Sequence, residues 1–152
     1  MLGPVLFLLY TQPLSEIVAS HHVSHHMFAD DTQLYSSSPR ESASTLINTM
    51  QACTTDIKHW TIQNKLQLNE DRTEVILVSS ANSHTLPSSM KTGLHDIHFT
   101  DSARSLSVIF DKSLSMSEQV NKICQVCYIE IRKTASIRHY MTTEATKTLV
   151  TS

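Results

Sequence analysis

The chain of 152 residues carries 12 Lys+Arg against 14 Asp+Glu, a formal net charge of −2, with 40% hydrophobic and 17% charged residues. That is the size of one domain at about 100–200 residues per domain. It is apolar enough to bury a core, and its charge balance excludes wholesale disorder and a generally basic nucleic-acid binder, leaving room for a local basic patch. Only two glycines are present, Gly3 and Gly93, where average usage near 7% would supply about ten. Glycine-rich phosphate loops need several close together and are excluded. Ser and Thr, by contrast, number 21 and 17.

In chain order, an apolar stretch over 4–19 predicts a helix after Pro4. Its Val5–Tyr10 core has no basic residue before it and is too short to span a bilayer. An intracellular protein (cytoplasm or nucleus) with no membrane association is expected. The block Ser20-His21-His22-Val23-Ser24-His25-His26 reads as a solvated polar loop, although histidine pairs four apart would share a metal on a helix face. Met27–Tyr35 reads as strand, tight turn and strand around Asp30-Asp31. Ser38-Pro39-Arg40-Glu41 has the form of a capping box, with Pro at the first helical position. Leu46, Met50, Cys53, Ile57 and Trp60 then make one helical stripe running to about Asn64.

Leu66–Leu68 and Thr73–Val78 are expected to pair as a hairpin across 69–72, and 79–92 to be a loop. Ile97–Phe99 and Leu106–Phe110 form a second predicted hairpin around 101–104. Ser115-Met116-Ser117-Glu118 is another capping box, opening a long helix with Val120, Cys124, Cys127, Ile131 and Thr134 along one face. A last helix is expected from about Thr143. Three cysteines are an odd set that does not suit a disulfide framework. Cys124-x-x-Cys127 is read as two small core residues rather than a redox pair or half a zinc site.

Phe28-Ala29-Asp30-Asp31 carries the chemistry. Two adjacent carboxylates on a turn offer hard oxygen ligands to Mg²⁺, which takes one or two carboxylates plus substrate phosphates. The flanking blocks occur in order: Gly3-Pro4-Val5-Leu6-Phe7-Leu8-Leu9-Tyr10, Phe28–Tyr35, Trp60 with Asn64–Asn69 and Arg72-Thr73-Glu74, and Leu106–Asp111. Together they resemble the reverse transcriptase domain of LINE-type (non-LTR) retrotransposons. The resemblance implies an α+β fold, with a partial palm over 1–112 and the start of a helical thumb over 113–152. Asp30 and Asp31 would be catalytic metal ligands for Mg²⁺ or Mn²⁺, and the partners an RNA template, a DNA primer and deoxynucleoside triphosphates. A carboxylate–metal centre needs no glycine cradle, so the glycine count does not oppose it.

Three departures qualify the resemblance. No residue matches the family's further catalytic Asp, upstream of the Gly-Pro block, so the isolated chain is expected to be an inactive polymerase fragment. Ser107 stands where the family usually has Gly, which strains a backbone needing positive φ. Arg72 replaces the commoner Lys and keeps the charge. Charge is also uneven: residues 1–60 hold two basic and five acidic residues, and 121–152 hold five and two. Composition alone makes the C-terminal cations a solvated helix face. The resemblance makes Lys122, Arg132, Lys133 and Arg138 the face that follows the primer–template duplex. The alternatives are a non-catalytic nucleic-acid-binding module, or the unstable product of a decayed reading frame with Val5–Tyr10 uncovered. Oligomeric state is left open.

Overall fold

The computed structural model of the chain describes residues 2–79, 87–92 and 95–151. It combines helices with three separate two-stranded antiparallel hairpins, an α+β arrangement. The residues divide into two compact units, Met1–Thr100 and Asp101–Ser152.

In the first unit the apolar N-terminal stretch is two helices, α1 (Gly3–Thr11) and α2 (Pro13–Ser20), because Pro13 starts a new helix at its first position. Apolar side chains surround α1, and Leu2, Leu6 and Leu9 are all exposed. α2 buries Leu14 and Val18. It ends in a Schellman motif: His22 takes φ 56°, its N–H donates to the Ala19 carbonyl, and Val23 N–H reaches the Val18 carbonyl at 3.4 Å. Val23, buried, then leads into β1 (Ser24–Phe28), which pairs with β2 (Asp31–Tyr35). The predicted strand–turn–strand is present. The histidine loop is not: His21 and His22 lie in the helix-ending turn, and His25 and His26 belong to β1.

α3 (Ala43–Gln63) supplies the other half of the core. Cys53 is fully buried and Ile57 nearly so. Together they cluster with Leu14, Val18 and Val23, while Met27, Leu34, Met50 and Trp60 pack half-buried around them. Each such aliphatic side chain removed from water is worth about 1.5–3 kcal/mol. Burial first, and then the Asp56 carboxylate, push the Cys53 thiol pKa up, so it is protonated and inert. The predicted capping box does not form. A 3-10 turn at Arg40–Ser42 moves the start of α3 beyond the reach of Ser38, whose hydroxyl donates instead to the Pro39 carbonyl at 3.2 Å. The far end closes in a second Schellman motif with Lys65 at φ 58°, where Leu66 N–H donates to Thr61 O at 2.8 Å.

The expected 66–78 hairpin is absent. A 3-10 turn at Glu70–Arg72, tied to α3 by the Lys58–Glu70 ion pair, leaves the two segments unpaired. Val75 instead bridges Phe99 in parallel, and its carbonyl accepts the Thr100 N–H at 2.9 Å. The predicted 79–92 loop is a strand at its end: β3 (Ser89–Thr92) pairs with β4 (His95–His98). Met90 and Thr92 are buried, and β3 packs on α3. Residues 80–86 of that loop, and Gly93, lie outside the described residues.

In the second unit the predicted pairing of 97–99 with 106–110 is replaced by β5 (Ser102–Ser105) with β6 (Val108–Asp111). Their two-residue turn, Leu106-Ser107, has φ 46° and 74°. Positive φ at both central positions is the type I′ hairpin geometry, which matches strand twist and favours Asn-Gly. Ser107 is thus strained where glycine was expected.

α4 (Ser117–Ile137) follows, with a 3-10 turn at Arg138–Tyr140 and α5 (Thr143–Thr151) after it. The start of α4 is held by Asp111 rather than by a Ser115–Glu118 box. The buried Asp111 carboxylate accepts the N–H groups of Ser113, Ser115 and Met116 at 3.1, 3.0 and 2.8 Å, and both serine hydroxyls. Ile109 N–H donates to the Gln119 side chain at 2.9 Å, fastening β6 to the first turn of α4. No residue of α4 is buried. Cys124 and Cys127 are exposed, which corrects their reading as core: β5–β6 packs beside their stripe and leaves it open.

Two outcomes are expected. Ser107→Gly relieves the left-handed strain and raises stability by roughly 0.5–1 kcal/mol in urea unfolding, with a smaller further gain from Leu106→Asn at this exposed position. The Ser113 hydroxyl and the loop amides hold the Asp111 carboxyl well below the usual carboxylate range. A carboxylate with a depressed folded pKa stabilises the fold above its unfolded value, about 3.9, and loses that contribution as pH falls below it. The urea midpoint of the wild type therefore drops from about pH 4 downward, and Asp111→Asn flattens that part of the profile.

Candidate functional site

The β1–β2 hairpin presents the two carboxylates. Its register pairs Phe28 with Asp31, so the loop is Ala29-Asp30. Ala29 takes φ 54° at the first loop position, where glycine is the usual residue. Asp30 occupies the turn and Asp31 opens β2. Both are exposed, and neither carboxylate has a hydrogen bond or ion pair among the described residues. The alternation of the strands sorts the hairpin into two faces. His25, Met27 and Leu34 are half-buried, whereas Phe28, 59% exposed, stands opposite Asp31 on the open side. Val23 joins the core cluster, and Met27 and Leu34 pack the inner face of the hairpin against it, Met27 one rung from the tip.

Carboxylate oxygens suit a hard divalent cation, and Mg²⁺ binds through one or two of them with substrate phosphates completing the shell. Asp30 and Asp31 fit that share of the ligand set. Among the described residues, no group of three or more His, Cys, Asp or Glu gathers into a metal-holding cluster. The four histidines disperse. His21 Nε2 meets Asp56 Oδ2 at 2.8 Å, tying α2 to α3, and His22 closes the Schellman turn. His25 and His26, consecutive in β1, face opposite sides of the hairpin.

Two blocks distant in sequence meet in this unit. Tyr10 of α1 donates its hydroxyl to the Asn64 carbonyl at 2.6 Å, and its ring lies 6.2 Å from that of Trp60. Beside this junction, a cleft of about 740 Å³ is lined by residues including Lys58, Thr61, Leu66 and Asn69. Tyr10, Trp60 and Asn64 stand in the ordered sequence blocks, but the pairing of Tyr10 with Asn64 depends on the fold.

Residues 1–110 match the family model of the reverse transcriptase (RNA-dependent DNA polymerase). The chain belongs to this family. No match was found among curated proteins or among solved structures. Reverse transcriptases act on a nucleic-acid template with nucleotide substrates and use divalent metal ions. The matched span contains the Asp30-Asp31 hairpin, the Tyr10–Asn64 junction and the strained Leu106-Ser107 turn. It ends just before Asp111. Among the described residues no helix is long and apolar enough to cross a membrane.

The basic residues lie in the second unit. Lys122, Arg132 and Lys133 are exposed on α4, and Arg138 sits in the 3-10 turn after it. Lys122 and Lys133, eleven residues and about three turns apart, share a face with roughly 16 Å between them along the axis. Arg132 is about 80° round from Lys122, and Lys133 is ion-paired to Glu130 at 2.7 Å. Lys122 also borders a shallow cleft of about 270 Å³ with Arg104 and Gln119. Asp111, the buried anchor of this helix, was missed as a site residue by sequence reasoning. Its signal was the density of Ser at 113, 115 and 117 immediately after an acidic residue.

Because Asp30 and Asp31 are exposed and unpartnered among the described residues, Asp30→Asn and Asp31→Asn are expected to leave urea stability within about 0.5 kcal/mol of wild type. Equilibrium unfolding of both variants checks this, and a larger loss would make the pair structural.

Proposed function

We propose that the chain is a palm and early-thumb fragment of a non-LTR, LINE-type reverse transcriptase, with palm over 1–112 and thumb from 113. The supporting observation is the Phe28-Ala29-Asp30-Asp31 hairpin, with both carboxylates free at its tip inside the span that matches the family. In this reading Asp30 and Asp31 are catalytic residues and the metal ligands for Mg²⁺ or Mn²⁺. When bound, the cations would neutralise charge on the nucleotide phosphates and lower the pKa of a primer hydroxyl. The chain's own part is to hold two carboxylates on a short, core-anchored hairpin, with the Phe28 ring bordering Asp31 on the open side. Two carboxylates do not by themselves fix two ions in reactive geometry, so the chain alone is proposed to lack polymerase activity.

A second role is supported by the exposed cations of α4. Lys122 and Lys133 on one face, with Arg132 and Arg138 beside it, suit the phosphates of an RNA–DNA duplex. Binding of this kind weakens steeply with salt as counterions are released.

Primer extension on an RNA template, with a DNA primer, deoxynucleoside triphosphates and Mg²⁺ or Mn²⁺, is expected to give no product with the wild-type chain. Extension that disappears in Asp30→Ala and Asp31→Ala would establish a complete enzyme and overturn the fragment reading. In the same preparation, duplex binding followed by anisotropy is expected to lose about one unit of log–log salt slope for each of Lys122→Glu and Arg132→Glu. An unchanged slope would remove the role of this face.

A further inference from the structure

The two thiols of α4 stand on a stripe whose pattern reads the same in both directions: Ser117, Val120, Cys124, Cys127, Ile131 and Thr134. The spacings are 3, 4, 3, 4 and 3. The residue types run hydroxyl, β-branched aliphatic, thiol, thiol, β-branched aliphatic, hydroxyl. Spacing of this kind is the one a helix pair uses for its seam, in which each side chain inserts between residues of the facing helix. A two-fold interface must be self-complementary, residue i meeting j as j meets i. About an axis midway between Cys124 and Cys127, an antiparallel second copy sets Val120 against the partner's Ile131, Ser117 against the partner's Thr134, and Cys124 against the partner's Cys127.

The stripe is open. Val120 and Ile131 are 55% and 64% exposed, both cysteines are exposed and free, and β6 is fastened to α4 through Gln119, with Cys127 at the rim of the open cleft that Arg104 and Ile109 also line. No charged residue lies among these six positions, so identical copies meet there without like-charge repulsion. Residues three apart on a helix have Cβ atoms about 5–6 Å apart. Two thiolates so placed can close to the roughly 3.8 Å sulfur separation of a tetrahedral site with 2.3 Å Zn–S bonds. One chain supplies two thiolates, and among the described residues no third His, Cys, Asp or Glu joins them. A closed structural zinc site has four protein ligands.

We infer that Cys124 and Cys127 are half of a tetrathiolate zinc site completed by the same two cysteines of a second copy, joining two chains through antiparallel α4 helices. Each Zn²⁺ bound displaces four thiol protons, and no electron is transferred. The site is independent of the polymerase reading and of Asp30 and Asp31.

The test is titration of the reduced full chain with Co²⁺ and then Zn²⁺, with mass measured by sedimentation. Expected are an intense thiolate-to-Co²⁺ charge-transfer band lost on adding Zn²⁺, saturation at one ion per two chains, and a dimer that reverts to monomer with chelator. Cys124→Ser and Cys127→Ser should each abolish the band and the metal-dependent dimer. Being exposed, they should leave the helical circular dichroism unchanged. Saturation at one ion per chain without dimerisation, a dimer indifferent to chelator or to both substitutions, or the absence of any thiolate–Co²⁺ band would each overturn the inference.

Discussion

The packing of α2 on α3 is the constraint from which the first unit is built. Val18 and Cys53, both almost completely buried, form the centre of a small cluster, and Val23 joins it only because the Schellman turn at His22 folds the chain back over Val18. That turn delivers β1 onto the cluster, and Met27 and Leu34 then hold the hairpin by its inner face. The outward presentation of Asp30 and Asp31 follows: a two-residue loop at the end of a five-residue strand, with one face sealed, leaves its tip in water. Loss of volume at Val18 or Cys53 would disturb the hairpin without touching either carboxylate, since a cavity in so small a core has few neighbours to relax into it.

The scarcity of glycine has a structural counterpart. Seven non-glycine residues among those described hold positive φ, and they fall where the chain changes direction: His22 and Lys65 closing helices, Ala29 and Leu106-Ser107 in hairpins, Leu114 and Met116 leading into α4. Left-handed backbone costs an L-residue on the order of 1–2 kcal/mol. The same turns would be nearly free of strain with glycine. The geometry is held because hydrogen bonds enforce it, most visibly at α4, where the Asp111 carboxylate gathers the amides of three following residues. Compact turns made from residues unsuited to them are therefore sustained by a few capping interactions rather than by backbone preference.

What was legible in the sequence separates by range of interaction. The α3 stripe was readable because helical periodicity is local; Cys53 and Ile57 are buried, and the stripe misses mainly Ile47 and Thr61. The 27–35 hairpin was readable because its two-residue loop brings neighbours together, but the extension of its first strand back to Ser24 was not. The 66–78 and 97–110 pairings failed because strand pairing is decided by what else competes for each edge. Val75 found Phe99, β4 found β3, and β5 turned at Leu106-Ser107, a pair with none of the usual turn chemistry. Both capping boxes had the right letters. Each was displaced by a stronger local alternative, a 3-10 turn at Arg40–Ser42 and the buried carboxylate of Asp111. At the site, residue types and spacing marked Asp30 and Asp31, but the exposure of the hairpin tip and the dispersal of the histidines depended on the fold.

The α4 stripe shows how the same pattern supports opposite conclusions. Apolar residues at helical spacing say only that a face prefers to be covered, and periodicity cannot say by what. In α3 the cover comes from α2 and the first hairpins. In α4 the neighbouring β5–β6 hairpin is fastened by the Ile109–Gln119 bond and leaves Cys124 and Cys127 exposed, Cys127 at the rim of the cleft the hairpin borders. A thiol pair in a sealed core is a filler of volume, as Cys53 is with its raised pKa. The same pair on an open face can serve as a ligand set, because its sulfurs are accessible to a metal. Where the covering element sits, rather than the residues of the stripe, therefore decides between packing and chemistry.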